Sequence, residues 1–245
     1  MIKLTNISTR APQHLNKKDI KKKTIKTVNK IGKLSRVYEA DKTHALLVVF
    51  QGMDSSGKDG TTREVFKFVS PSIACAHSFK KPTDEEMSHD FLWRVHKLVP
   101  GKGQIRIFNR SHYEDVLIQK VHHWIDDNTV EDRIVSINNF ENLLKSDNNT
   151  TILKFYLHLS HEKQKEKLQE RIELLEKNWK HNPNDLKESK LWEQYMEAYE
   201  NVLNKSKIPW HIIPADQRWY RNYAVAQIVL ETLQNMNLKY PKLTD

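Results

Sequence analysis

The stretch Ala45–Thr62, ALLVVFQGMDSSGKDGTT, limits what this chain can fold into more than any other. Ala45 to Phe50 are six apolar or aromatic residues in a row, enough for one strand buried on both faces of a parallel sheet. Gly52, four residues, Gly57 and Lys58 follow, which is the G-x-x-x-x-G-K spacing of a phosphate-binding loop. In such a loop, glycines let successive backbone N–H groups turn inward as an anion nest. The next helix aims its N-terminus at the phosphate, and the lysine adds a full charge. Gly52, Met53, Ser55, Ser56, Gly57, Lys58, Asp59 and Gly60 are therefore the expected phosphate contacts. Two positions are unusual. Asp59 stands where the general motif has a magnesium-holding Ser or Thr, and Asp54 places an acid inside the loop. A carboxylate beside phosphates is repelled unless a cation lies between them, so Asp54 reads as a metal ligand. A Gly-rich turn with no ligand is the plainer alternative, but strand, spacing and lysine together favour phosphate.

With 245 residues the chain can form one large α/β domain with a substantial core. No run approaches the roughly 20 apolar residues of a membrane span, and the N-terminus lacks an apolar signal region. One cysteine, Cys75, gives no internal disulfide framework, and a reducing, cytoplasmic setting is the expectation. The net charge of +9 is unevenly placed. Residues 1–42 hold twelve of the 40 Lys and Arg but three of the 31 Asp and Glu, leaving 28 of each for the rest. That basic segment is suited to a polyanion, or it is simply a solvated helix face.

Taken in order, residues 1–16 have no period and read as a loose arm. Ile20, Ile25, Val28, Ile31 and Leu34 then predict an amphipathic helix over Lys17–Arg36 with a basic outer face. A short strand is expected over Ile73–Phe79. Thr83, with Glu86 three residues on, predicts a capped helix running through Met87, Phe91, Val95 and Leu98 to Pro100. Further strands are predicted at Ile105–Phe108, Thr151–Leu159 and Trp210–Pro214, and further helices around Val130–Leu144 and over Trp219–Leu233. Strands alternating with helices imply a three-layer α/β/α fold with a parallel sheet, its ligands at the carboxyl ends of the strands. Ser160–Lys180 and Leu186–Lys205 form a helical hairpin, either a lid over a phosphoryl-transfer site (about 161–205) or a plain hairpin. The expected division is thus a basic arm and helix, 1–42, and a kinase domain, 43–245.

A phosphate loop needs a partner acid at the end of a neighbouring strand. The obvious position holds Asn109, and Glu114 and Asp115 follow five and six residues on. Either acid could reach back to a metal or orient an acceptor, or both could be favourable helix-start charges alone. Arg110 is a planar donor suited to phosphate oxygens. The twelve histidines form no zinc-like spacing.

The loop GMDSSGKDG, the turn FNRSHYEDV and the segment ERIELLEKNWKHNPNDLKESKLWEQY together resemble polyphosphate kinase 2, in family order from about Leu34 to the C-terminal helix. The resemblance implies a P-loop kinase with a helical lid that moves a phosphoryl group between inorganic polyphosphate and a nucleotide. FNRSHYEDV, together with IPADQRWYRN, is similar to the class that accepts both AMP and ADP. It also implies that Asp54 and Asp115 hold Mg²⁺ (Mn²⁺ as the alternative), that Lys58 and Arg110 bind phosphate, and that Glu114 marks the class. Arg171 would be the lid arginine, with Lys180 and Asp185 as weaker lid residues, while Lys80 and Lys81 would line the polyphosphate path. Adenine nucleotides are the implied partners, guanine nucleotides the alternative, in a homo-oligomer. Ser55 and Ser56 depart mildly from the alanines common there. The basic helix carries no family motif. The expectation is that it recruits the long anion and that deleting residues 1–36 weakens polyphosphate affinity alone.

Two rivals remain on sequence grounds. An ATP-dependent P-loop nucleoside or nucleotide kinase would work without polyphosphate. A nucleic-acid-binding P-loop protein would bind polyphosphate with steep salt dependence but not turn it over. No RNA-binding aromatic signature is present, and the body of the chain is neutral, so neither nucleic acid nor membrane is an expected partner.

Overall fold

The structure, a computed structural model, describes residues 1–243. In chain order the elements are α1 (Lys17–Asp41), β1 (Ala45–Gln51), α2 (Lys58–Val65), β2 (Ala74–Ser78), α3 (Asp84–Met87), α4 (Trp93–His96), β3 (Ile105–Asn109), α5 (Glu114–Val121) and α6 (Asp127–Asn148). They continue with β4 (Thr150–His158), α7 (His161–Glu173), α8 (Leu175–Asn178), α9 (Asn184–Lys190), α10 (Trp192–Lys205), β5 (Trp210–Pro214) and α11 (Arg218–Asn235). The strands form one sheet in the order β2-β3-β1-β4-β5, each pair parallel.

The apolar run of β1 lies at the sheet's centre, and all seven residues are buried, as a strand covered on both faces requires. Its alternating side chains separate the two cores. Leu47 and Val49 join Val116, Ile137 and Tyr199 under α5, α6 and α10. Leu46, Val48 and Phe50 join Val28, Ile31, Val65 and Val229 under α1, α2 and α11. This is the three-layer α/β/α architecture, and it brings the carboxyl ends of β1, β3 and β4 to one edge.

Four expectations change in detail. The helix predicted from Thr83 to Leu98 is two short ones: the Thr83–Glu86 capping box forms, but Ser88 and Asp90 turn their side chains onto the backbone. The first arm of the hairpin breaks at Leu174, where the Asn178 side chain takes the carbonyls of Arg171 and Ile172. The second arm divides at Leu191.

The N-terminal residues, expected as a loose arm, are docked. Leu4 is 1% exposed, its N–H donates to Glu200, His158 Nε2 meets Ile7 O at 3.1 Å, and Thr9 donates to Asp216. Helix α1 packs along α11 with Val28 and Ile31 fully buried. Removing residues 1–36 would therefore open the core, and only the outer face of α1 is free for another task.

Candidate active site

Backbone strain shapes the loop between β1 and α2. Gly52 has φ 144° and Gly57 φ 96°, and a Cβ at Gly57 would lie 2.2 Å from Arg221 Nη1. Glycine is thus required at 57 twice over, by conformation and by space. Two residues with side chains also adopt the left-handed region here: Ser55 (φ 66°) and Arg110 (φ 62°). Such strain persists only where surrounding contacts hold it, and it clusters at functional sites.

Lys58 opens α2 and folds back over the loop, donating to Gly52 O at 2.7 Å and Met53 O at 3.3 Å. Burial, together with the Arg110 charge, pushes its amine down to about 8. Arg110 pairs with Asp54 on one side and with Glu114 Oε2 at 3.3 Å on the other. Burial works against the Asp54 charge, but Arg110, Lys58 and Arg171 outweigh it and hold the carboxyl below its usual range. Arg171 pairs with Asp185 and reaches Lys180 O, so the hairpin is latched across its own mouth.

The two departures from the general phosphate-loop pattern compensate each other. Asn109 Nδ2 donates to Asp59 Oδ1 at 2.9 Å, and Asn109 Oδ1 accepts from Thr62 at 2.9 Å. In other P-loop proteins a hydroxyl follows the lysine and an acid ends the neighbouring strand. Here acid and neutral polar group have exchanged places, and the contact between α2 and β3 survives.

Two clefts meet at Asp54 and Arg110. One, of about 280 Å³, is lined by Ser55, Gly57, Lys58, Lys80, Asn109 and Arg171. The other is nearly closed, about 20 Å³, and is lined by Gly52, Met53, Glu114, Gln164, Glu188, Tyr195 and Tyr199. The first is cationic. The second has an aromatic wall from α10 and a carboxylate, Glu188, that accepts from Tyr195 at 2.6 Å and meets His122 at 3.1 Å.

Asp115 is not brought to either cleft. It is 4% exposed, against Arg94 at 3.3 Å and Gln119 at 2.8 Å, and burial pushes its carboxyl up despite Arg94. Glu114 is the acid that faces Asp54 across Arg110. Lys81 is exposed outside the clefts, and the Lys180 ammonium lies over the Trp179 ring instead.

Sequence reasoning missed five side chains that brace or line the loop. Gln164 reaches Asp54 O at 3.4 Å, and Lys167 donates to Ser55 O at 3.1 Å. Tyr195 and Tyr199 read as a packing stripe, and they do pack, but they also wall the closed cleft. Arg221 is 2% exposed, without an acidic partner among the described residues, and donates to Ser56 O at 2.8 Å and Thr61 Oγ1 at 2.7 Å. The IPADQRWYRN segment that contains Arg221 was the available signal.

The donor set fits a hard cation. Asp54 and Glu114 offer carboxylate oxygens on either side of the Arg110 guanidinium, and the buried Ser55 and Ser56 Oγ atoms have no partner. Mg²⁺ is commonly held by one or two carboxylates with substrate phosphates and water supplying the rest. Among the described residues no group of three or more His, Cys, Asp or Glu could cage a metal without such help.

The profile of Polyphosphate kinase 2 (PPK2) matches residues 14–241. An AMP/ADP-polyphosphate phosphotransferase of Meiothermus ruber is 45% identical over 216 residues, covering 87% of this chain and 80% of the relative. An ADP-polyphosphate phosphotransferase of Rhodopseudomonas palustris is 38% identical, covering 89% and 80%. The crystal structure of polyphosphate kinase 2 from Arthrobacter aurescens TC1 superposes with a TM-score of 0.96 at 37% identity, covering 100% of this chain and 89% of that one. With loop, strained turn, latched hairpin and these likenesses in agreement, the chain belongs to the polyphosphate kinase 2 family.

Proposed function

We propose that this protein transfers the terminal phosphoryl group of inorganic polyphosphate to AMP and to ADP, giving ADP and ATP, and that the transfer is reversible. The observation that carries this reading is the meeting of two unlike clefts at Asp54 and Arg110, one cationic and one aromatic. A polyanion suits the first, with Lys58, Lys80 and Arg171 around it. A nucleotide suits the second, its base against Tyr195 and Tyr199 after the hairpin opens as a lid. The similarity to a relative named for both AMP and ADP favours the dual acceptor.

In the transfer, an oxygen of the acceptor's terminal phosphate forms a bond to the end phosphorus of polyphosphate. The bridging P–O bond to the next phosphate breaks, and a chain one unit shorter leaves with that electron pair. Acceptor phosphates are already ionised near neutral pH, so no base is needed to create the nucleophile. Lys58 holds the donor end, and Arg110 and Arg171 stabilise charge spread over the moving group. Asp54 and Glu114 would hold a divalent cation, Mg²⁺ or Mn²⁺, which when bound neutralises phosphate charge. We assign Asp115, held by Arg94 and Gln119, to supporting that helix start rather than to the metal.

The test is purified protein with Mg²⁺ and long-chain polyphosphate, offered AMP or ADP, with nucleotides followed by chromatography. ADP from AMP and ATP from ADP are the expected products. Product from ADP alone would remove the dual-acceptor assignment, and ATP-dependent activity without polyphosphate use would overturn the donor.

A further inference from the structure

Behind the phosphate loop, on the side away from the hairpin, α1, α2 and α11 enclose a groove of about 710 Å³. Its walls carry Lys17 and Lys21 from α1, Glu64 from α2, Lys67 from the turn after it, and Arg218 and Trp219 from α11, with Asn222 on the wall nearest the loop. Lys67 is neutralised by Glu64 at 2.8 Å. Lys17, Lys21 and Arg218 have no carboxylate within 4.0 Å among the described residues, so the groove keeps an unpaired positive charge. Three like charges gathered around a concavity repel one another, and an anion in the groove would relieve that repulsion.

The groove is wired to the loop. Asn222, 6% exposed, accepts at Oδ1 from Thr61 and Arg221, and its Nδ2 has no acceptor among the described residues. Arg221 in turn holds Ser56 O and crowds Gly57. No side chain caps α11, because the Gln217 amide oxygen at its start accepts from Ala11 N instead. Helix α2 supplies the path between the two places. Gly60 and Glu64 stand four residues apart on one face, and Gly60 has only the Arg221 guanidinium, at 3.8 Å, near the position of a Cβ. From Gly60 to Glu64 is about 6 Å along the helix at 1.5 Å per residue. A linear anion seated on Lys58 that leaves over the bare surface of Gly60 would pass the Arg221 guanidinium and the Glu64 side chain, which Lys67 neutralises, to enter the groove.

We propose that this groove is a second, distal polyphosphate-binding site that takes the segment of a long chain beyond the phosphates held by the loop. The inference rests on the donor assignment above and adds a chain-length sensor to it. The site gives the outer face of α1 a task that the docked inner face permits. It also gives a task to Lys17 and Lys21, two of the twelve basic residues behind the chain's charge imbalance.

The experiment compares long-chain polyphosphate with tripolyphosphate, which is too short to leave the loop, in the full-length protein. A triple variant, Lys17→Gln with Lys21→Gln and Arg218→Gln, alters exposed side chains and so leaves the fold intact. It should raise the KM for the long chain roughly three- to tenfold at low salt, an effect that fades as salt rises. The tripolyphosphate and nucleotide KM values should stay as they were. Glu64→Gln removes the groove's acid and should lower the long-chain KM. Equal changes for both donors would mean a general field rather than a site and would overturn the proposal, as would no change at all. A rise in nucleotide KM would assign the groove to a nucleotide stacked on Trp219 and overturn it too. Wild-type protein that uses neither donor would instead show that the donor assignment itself had failed.

Discussion

Lys58 and Gly57 illustrate how the site depends on single atoms. The Lys58 amine touches only two backbone carbonyls, so Lys58→Ala should fold normally yet lose roughly 10²- to 10³-fold in kcat, the usual cost of one lost charge-stabilising donor. Unchanged melting with near-normal turnover would contradict its role. Gly57→Ala should behave differently, because both φ and the Arg221 guanidinium exclude the methyl group. A loss of about 1–3 kcal/mol in denaturant unfolding is expected, together with lost activity. The pH response follows from burial. Lys58 in the free protein titrates near 8, below its unfolded value of 10.5, so its charge costs stability below about 8 and that cost fades as pH rises toward 10.5. Phosphate binding favours the charged form, so it takes up a proton in the same window. The rise in Tm caused by tripolyphosphate should therefore shrink between pH 7.5 and 9.5, and a constant rise would exclude Lys58 as the titrating contact. Lys167, also pushed down to about 8 by burial, acts in the same direction.

At the level of elements, the turn after β3 stands on a buried ionic network. Lys154 of β4 donates to Glu141 of α6 at 2.7 Å and to Tyr113 at 2.7 Å, and His112 lies 3.4 Å from the same carboxylate, all without solvent contact. Burial opposes the Glu141 charge, but His112 and Lys154 hold its carboxyl below the usual range. Glu141→Gln should cost about 3–5 kcal/mol by leaving the lysine uncompensated, whereas Glu141→Gln with Lys154→Met should recover most of that loss. Calorimetry on the single and double variants checks this, and equal melting of the two would remove the network's role. This network also shows where sequence reading stops. Strands β1 and β5 were legible to within a residue because apolar runs and flanking turns are local signals. Lys58 and Asp54 were marked by the loop spacing and Arg110 by its place after the third strand, and the structure brings the three side chains together. Lys167 was not legible, since its partner is a backbone carbonyl more than 100 residues away and nothing local marks such a contact, and Arg221, with a partner equally distant, had only the IPADQRWYRN segment to mark it. Asp115 and Glu114 are adjacent in sequence, and only the phase of α5 decides which of them faces the cleft.

For the whole molecule, the docked N-terminal residues matter most for how the hairpin is mounted. Asp216, after β5, accepts from Thr9 and from the Ser160 N–H at the start of α7, and Glu200 of α10 holds Lys3 and Leu4. Both roots of the hairpin are thus tied to the same ten residues, so any opening of the hairpin is expected to hinge in the stretch between them. The closed aromatic cleft has a consequence for economy. Its free volume of about 20 Å³ is room for about one water molecule. On the side of Asp54 and Arg110 that this cleft occupies, a donor loaded before the nucleotide would meet little competing solvent, so loss of phosphate to water is expected to be slow until an acceptor arrives. Orthophosphate released per nucleotide phosphorylated should be small in wild-type protein and should climb when Tyr199→Ala makes space for solvent. A transferase of this design would conserve its donor by leaving little room for water on the side from which the proposed acceptor enters.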